Sequence, residues 1–132
     1  MLEPFQQELN NSLMYQKSLD IFKLSRSVAA YITDDKDLIS MYRSGTRTDN
    51  YADNLVLNAF RLVPKIAETE SQKNRSVKLI YARSLRYYID VIYKNCIQLE
   101  NTKVQGKDFV KLLRKELKKF QKLHKSYVNS LL

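Results

Sequence analysis

Apolar residues recur at intervals of three and four along four stretches of this chain, and almost nothing interrupts them. The whole sequence holds two glycines and two prolines. That period marks one face of an α-helix. So few breakers leave no room for the many tight turns of an all-β fold. The 132 residues suit a single domain of 1–132. The economical arrangement is all-α, an up-down-up-down four-helix bundle with helices over about 4–32, 49–69, 72–101 and 107–131.

The first stretch opens at Pro4, which suits a first helical turn. Phe5, Leu9 and Leu13, then Ile21, Leu24, Val28 and Ile32, share its apolar face, with a bend or drift expected near Gln16 and Lys17. A long connection follows, Thr33 to Thr48, with a helical turn expected at Leu38–Tyr42 and a loop at Ser44-Gly45-Thr46. Asp49 or Asn50 is the expected cap of the second stretch, whose face is Leu55, Ala59, Leu62, Val63, Ile66 and Ala67. Pro64 inside that run predicts a kink or a helix that restarts there. The third stretch carries two adjacent seams. Val77, Tyr81, Ser84, Tyr88 and Val91 form one; Leu85, Ile89, Ile92, Cys96 and Leu99 form the other. So wide an arc predicts a central helix or a subunit contact. The fourth follows Gly106, with Asp108 as an early-turn acid and Phe109, Leu113, Leu117, Phe120, His124, Tyr127 and Leu131 as its stripe, widened by Leu112 and Leu123.

The charge is unevenly placed. Residues 1–69 hold 8 Lys/Arg against 9 Asp/Glu, whereas residues 70–132 hold 15 against 5, so the net +9 resides in the second half. Such asymmetry points to a polyanionic partner or, more plainly, to a solvated helical surface. With one cysteine no internal disulfide can form, which favours a reducing, cytoplasmic setting. The opening residues lack a basic and an apolar region, so no signal peptide is expected, and no run of about 18 apolar residues suggests a membrane span.

Little in the sequence suggests catalysis. His124 is the only histidine, with no nearby Cys and no Cys-x-x-Cys spacing, so no zinc site is expected and paired Glu-x-x-His motifs cannot be supplied; its place on the apolar stripe predicts a packed or interfacial side chain. Cys96 lies on an apolar seam and reads as an inert buried thiol. Gly45 and Gly106 are isolated, so no glycine-rich phosphate loop exists. No enzyme activity, metal or cofactor is expected.

The fourth stretch has a second stripe. Lys111, Lys115, Lys118, Lys122 and Lys125 recur at four and three, Lys107 begins the row, and Arg114 and Lys119 flank it. Between 107 and 125 there are eight Lys/Arg against Asp108 and Glu116. The third stretch adds Arg75, Lys78, Arg83 and Arg86 on related turns. A row of ammonium groups on a rigid rod can follow a phosphate backbone and release its counterions. Lysine outnumbers arginine in it, which suits backbone attraction without base readout. Tyr81, Tyr87, Tyr88 and Tyr93 could stack on unpaired bases. Their spacing follows the apolar seams, so the favoured expectation is core and interface rings with hydroxyls at the rim.

The stretch Ala59-Phe60-Arg61-Leu62-Val63-Pro64-Lys65-Ile66-Ala67-Glu68-Thr69 resembles the second-helix motif A-x-S-I-P-x-N-I-A-E-G of the four-helix-bundle proteins encoded in 23S rRNA intervening sequences. Ala59, Leu62, Ile66, Ala67 and Glu68 fall in step with it. Pro64 stands one place late, Lys65 replaces the asparagine and Thr69 the glycine. Tyr15-Gln16-Lys17-Ser18-Leu19-Asp20 looks like the family's opening helix, and Ala82-Arg83-Ser84-Leu85 like the start of its third. The resemblance implies a four-helix bundle, often a ring of five subunits. It also implies a fold shared with the accessory variability protein (Avd) of diversity-generating retroelements, a basic nucleic-acid binder that engages a reverse transcriptase. It implies no catalytic residue.

Three functional readings follow. The first is a non-enzymatic accessory or scaffold that holds RNA or DNA backbone, possible partner to a larger enzyme such as a reverse transcriptase. The second is a protein-interaction module or homo-oligomer in which the lysines serve solubility. The third, membrane-surface binding by the fourth stretch, is disfavoured because a bundle needs that apolar face for its own core.

Overall fold

The computed structural model describes residues 4–34, 46–102 and 104–132. The short turn expected at Leu38–Tyr42 and the loop residues Ser44 and Gly45 lie outside them. Among the described residues the chain is all-helical, with no strand. Five helices follow in order: α1 Pro4–Asn11, α2 Leu13–Ile32, α3 Arg47–Glu70, α4 Arg75–Glu100 and α5 Lys107–Ser130.

The expected first helix is two helices, and the break falls at Ser12, ahead of the expected bend. Ser12 has extended backbone (φ −72°, ψ 121°), and its hydroxyl accepts the Tyr15 N–H at 3.2 Å. A serine in that conformation satisfies one of the orphan donors of a new helix, so the chain starts again. The restart turns the apolar face by one residue: Met14 is 2 % exposed while Leu13 is 51 % exposed, and Phe5 also stands out to solvent.

The cap of α3 also differs from expectation. Thr46 precedes Asp49, its hydroxyl accepting the Asp49 N–H at 3.1 Å. α3 is continuous through Pro64 and does not restart there. Asn74 caps α4 by accepting the Val77 N–H at 3.1 Å. Gly106, at φ +80°, turns the chain into α5 without a side-chain cap, and Asp108 follows in the first turn. A negative charge there is favourable beside the exposed N–H groups of a helix start.

One apolar cluster runs through the molecule. Ile21, Val28 and Ile32 of α2 meet Leu55, Leu62 and Ile66 of α3, Leu85, Ile89 and Leu99 of α4, and Val110, Leu113 and Leu117 of α5. Each fully buried aliphatic side chain contributes roughly 1.5–3 kcal/mol relative to exposure. α2 packs on α3, α3 on α4, α4 on α5 and α5 on α2, while α1 packs on α2. Of the two seams of α4, the Leu85–Leu99 seam is wholly buried, whereas Val77 and Ser84 of the other are exposed. Phe109 and Leu112, expected on the buried stripe of α5, are also largely exposed, and Val110 is buried in their place. They lie on the flank of α5 toward α2, where the Phe109 ring meets Tyr31 at 4.7 Å between centroids.

Candidate nucleic-acid interface

The burial of Val110, Leu113, Leu117, Phe120 and His124 fixes the orientation of α5. With 3.6 residues per turn, this points positions 111, 115, 118, 122 and 125 the opposite way. Lys111, Lys115, Lys118, Lys122 and Lys125 are all exposed, and Lys107 is half-buried at the head of the row. Among the described residues none of these six takes part in an ion pair. From 111 to 125 the ridge extends about 21 Å at 1.5 Å per residue.

The other expected members have partners. Arg114 turns toward α4, its guanidinium 3.1 Å from the Glu100 carboxylate. Lys119 turns the other way and binds Glu116 at 3.2 Å, on the side facing α2. Arg75 donates from Nε to the backbone oxygen of Leu131 at 3.0 Å, and from its terminal nitrogen to those of Ser130 and Leu132. It thus serves as a C-terminal cap for α5. Lys78 lies 3.7 Å from Glu70, and the same carboxylate accepts a hydrogen bond from the Tyr127 hydroxyl. Arg86 pairs with Asp90 at 3.5 Å in an exposed contact of little strength. Arg83 is exposed and takes part in no ion pair among the described residues. Among the described residues the structure therefore separates a ridge on α5 without ion pairs, with Arg83 on α4, from Arg75, Lys78 and Arg114, which tie helices together, and from Lys119 and Arg86, which pair within their own helix.

His124 and Cys96 are packed as expected. His124 is buried and its Nε2 lies 2.7 Å from the Ala82 carbonyl. Burial pushes the Cys96 thiol up to about 12, with Glu100 adding to the rise and Arg114 opposing it, so the reactive thiolate is suppressed. The described residues contain no group of three or more His, Cys, Asp or Glu that could hold a metal. None of their helices is long and apolar enough to cross a membrane.

Tyr87 is not a core ring. It is 69 % exposed, on the outer face of α4, with its ring against Tyr88 at 5.4 Å. The signal was available: position 87 falls on neither apolar seam. Between α3 and α4 this ring helps to line a groove of about 370 Å³ with Lys65, Tyr81, Ser84 and Tyr88. A second groove of about 370 Å³ lies between α2 and α5, with Leu13, Leu24 and Leu123 inside it and Lys17, Asp20 and Glu116 at its rim.

No known family model, curated protein or solved structure matches this chain.

Proposed function

We propose that this protein is a non-enzymatic, nucleic-acid-binding accessory or scaffold that grips RNA or DNA backbone through the outer ridge of α5. The observation that carries this reading is the exposed row Lys111, Lys115, Lys118, Lys122 and Lys125, which takes part in no ion pair among the described residues. Unneutralised ammonium groups aligned on one rigid helix favour a linear polyanion over a point ligand. The resemblance to the intervening-sequence proteins supports the same reading and a larger partner enzyme such as a reverse transcriptase. A cytoplasmic setting suits that partner. We also read the fold as an up-down-up-down bundle. The four-residue link 71–74 and the six-residue link 101–106 favour antiparallel neighbours. Cross-helix pairs agree: the start of α4 meets the end of α5 through Arg75, and its end meets the early part of α5 through Glu100 and Arg114.

The test is binding to a duplex across a salt series. The slope of log affinity against log salt should be about −0.9 for each phosphate neutralised. Changing Lys115, Lys118 and Lys122 to Gln should flatten it by up to three such increments. Absence of binding at low salt would end the proposal.

A second reading, a homo-oligomer, is favoured by the α2–α5 side. Leu13, Phe109 and Leu112 are exposed there, and the groove rim carries both signs of charge. A mixed rim can pair with a copy of itself about a two-fold axis. The resemblance implies a different assembly, a ring of five, in which two unlike faces of neighbouring copies meet. Sedimentation would distinguish the two readings, because a strict monomer removes the second alone.

A further inference from the structure

We infer that the outer face of α4 is a stacking platform for unpaired bases, so that the preferred ligand is a single strand; this rests on the polyanion reading above. Tyr87 carries it. Its ring is 69 % exposed, and Ile80, two turns earlier on the same face, is 65 % exposed. Tyrosines at helical spacing normally turn inward or toward a neighbour, whereas this one projects. The ring is not loose: Tyr88 holds it edge-on at 5.4 Å with an interplanar angle of 86°. Tyr88 in turn packs against the apolar core. An exposed aromatic face braced by a half-buried one is pre-organised for stacking at little entropic cost.

The charge around the platform identifies the occupant. Arg83 lies one turn before Tyr87, Arg86 adjoins it, and Lys65 stands across the groove on α3. Two of these cations are paired with acids, Lys65 with Glu68 at 3.5 Å and Arg86 with Asp90 at 3.5 Å, so the net positive charge beside the ring is that of Arg83, which takes part in no ion pair among the described residues. α4 packs directly on α5. Packed helix axes lie about 8–10 Å apart, and Tyr87 faces the α3 side of α4, so a strand that follows the lysine ridge has to cross the outer face of α4 before its bases reach the ring. A duplex keeps its bases stacked inside and gains nothing from the ring. A protein partner would have to be strongly acidic to approach this half of the molecule, and offers no flat faces in series.

The experiment is fluorescence anisotropy with labelled oligothymidylate and with a mixed-sequence duplex of equal length, at one low salt concentration. Tyr87→Ala should weaken oligothymidylate binding by roughly five- to a hundredfold, the range for one stacked base. Duplex affinity should stay within twofold. Tyr87→Phe should bind the oligonucleotide as the parent does, because the ring and not the hydroxyl is used. Changing Lys115, Lys118 and Lys122 to Gln should weaken both ligands together. If both ligands bind but Tyr87→Ala moves neither or moves both equally, the platform is refuted while the ridge stands. If the parent protein binds neither, the polyanion reading fails and the platform with it. If the parent sediments as an oligomer that Tyr87→Ala dissociates, the face is a contact between copies and the inference is overturned. The exposure of residue 87 makes the variant's folding a minor concern, and circular dichroism checks it.

Discussion

The imidazole Nε2 of His124 lies 2.7 Å from the carbonyl oxygen of Ala82, so the single histidine of the chain joins α5 to α4 from within the apolar core. A carbonyl only accepts, so that nitrogen carries the proton. His124→Ala removes a buried ring and a buried donor together. The expected loss is about 2–4 kcal/mol, read as a lower urea midpoint with an unchanged m-value. A loss below about 0.5 kcal/mol would show that the ring does not hold the two helices together.

Gly106 has a structural duty at the entry to α5. A Cβ built there would lie 2.5 Å from two carbons of the Tyr31 ring, at a backbone φ of +80° that side chains rarely adopt. Gly106→Ala should therefore cost about 1–2 kcal/mol. Pairing it with Tyr31→Ala should recover the steric part and leave the backbone part. Full recovery in the double variant would locate the whole cost in the ring contact.

Arg114 and Lys115 are neighbours in sequence with opposite expected phenotypes. Arg114 supports the partly buried Glu100, one of whose carboxylate oxygens is buried with no hydrogen-bond partner. Arg114→Met should lower stability by about 2 kcal/mol, because it strands that carboxylate, with duplex affinity changed only slightly. Lys115→Gln should leave stability unchanged within about 0.5 kcal/mol and reduce the salt slope by about one. Thermal melts and salt-dependent binding on the same two proteins check both halves. Interchanged phenotypes would show the assignment of tie and ridge to be reversed.

Cys96 gives stability a specific alkaline limit. Burial raises its thiol from an ordinary value of 9.0 to about 12. The folded chain keeps this proton where the unfolded chain releases it. The contribution is therefore complete below about pH 9 and is lost as pH rises toward 12. Cys96→Ala should be less stable than the parent at pH 7 because of the cavity it leaves. The difference should shrink by about 1–2 kcal/mol by pH 10.5. Urea unfolding at the two pH values measures it, and a constant difference would contradict the assignment.

The sequence was most informative where a residue's fate depends on its own helix. Leu85, Ile89, Ile92, Cys96 and Leu99 could be placed inside from spacing alone, and all are buried. The outward row from Lys111 to Lys125 was legible for the same reason. What escaped depends on other elements or on a local choice between equals. Ser12 sits in a polar run that a continuous helix could carry on its surface, and its capping role appears only once the backbone turns. Phe109 and Leu112 are as apolar as Leu113, yet their exposure depends on how closely α2 approaches. Arg75, Lys78 and Arg114 look like further members of a basic stripe until α3, α4 and the end of α5 supply their partners.

The lysine row also bears on the protein when nothing is bound. Cations three and four residues apart on a helix repel one another, and among the described residues no acid pairs with those on the crest of α5. The empty molecule therefore folds against its own electrostatic pressure. Dissolved salt relieves that pressure by screening, as would any polyanion that settles there. Melting temperature should climb with ionic strength, so the conditions that loosen a nucleic-acid complex are those in which the free bundle is most secure.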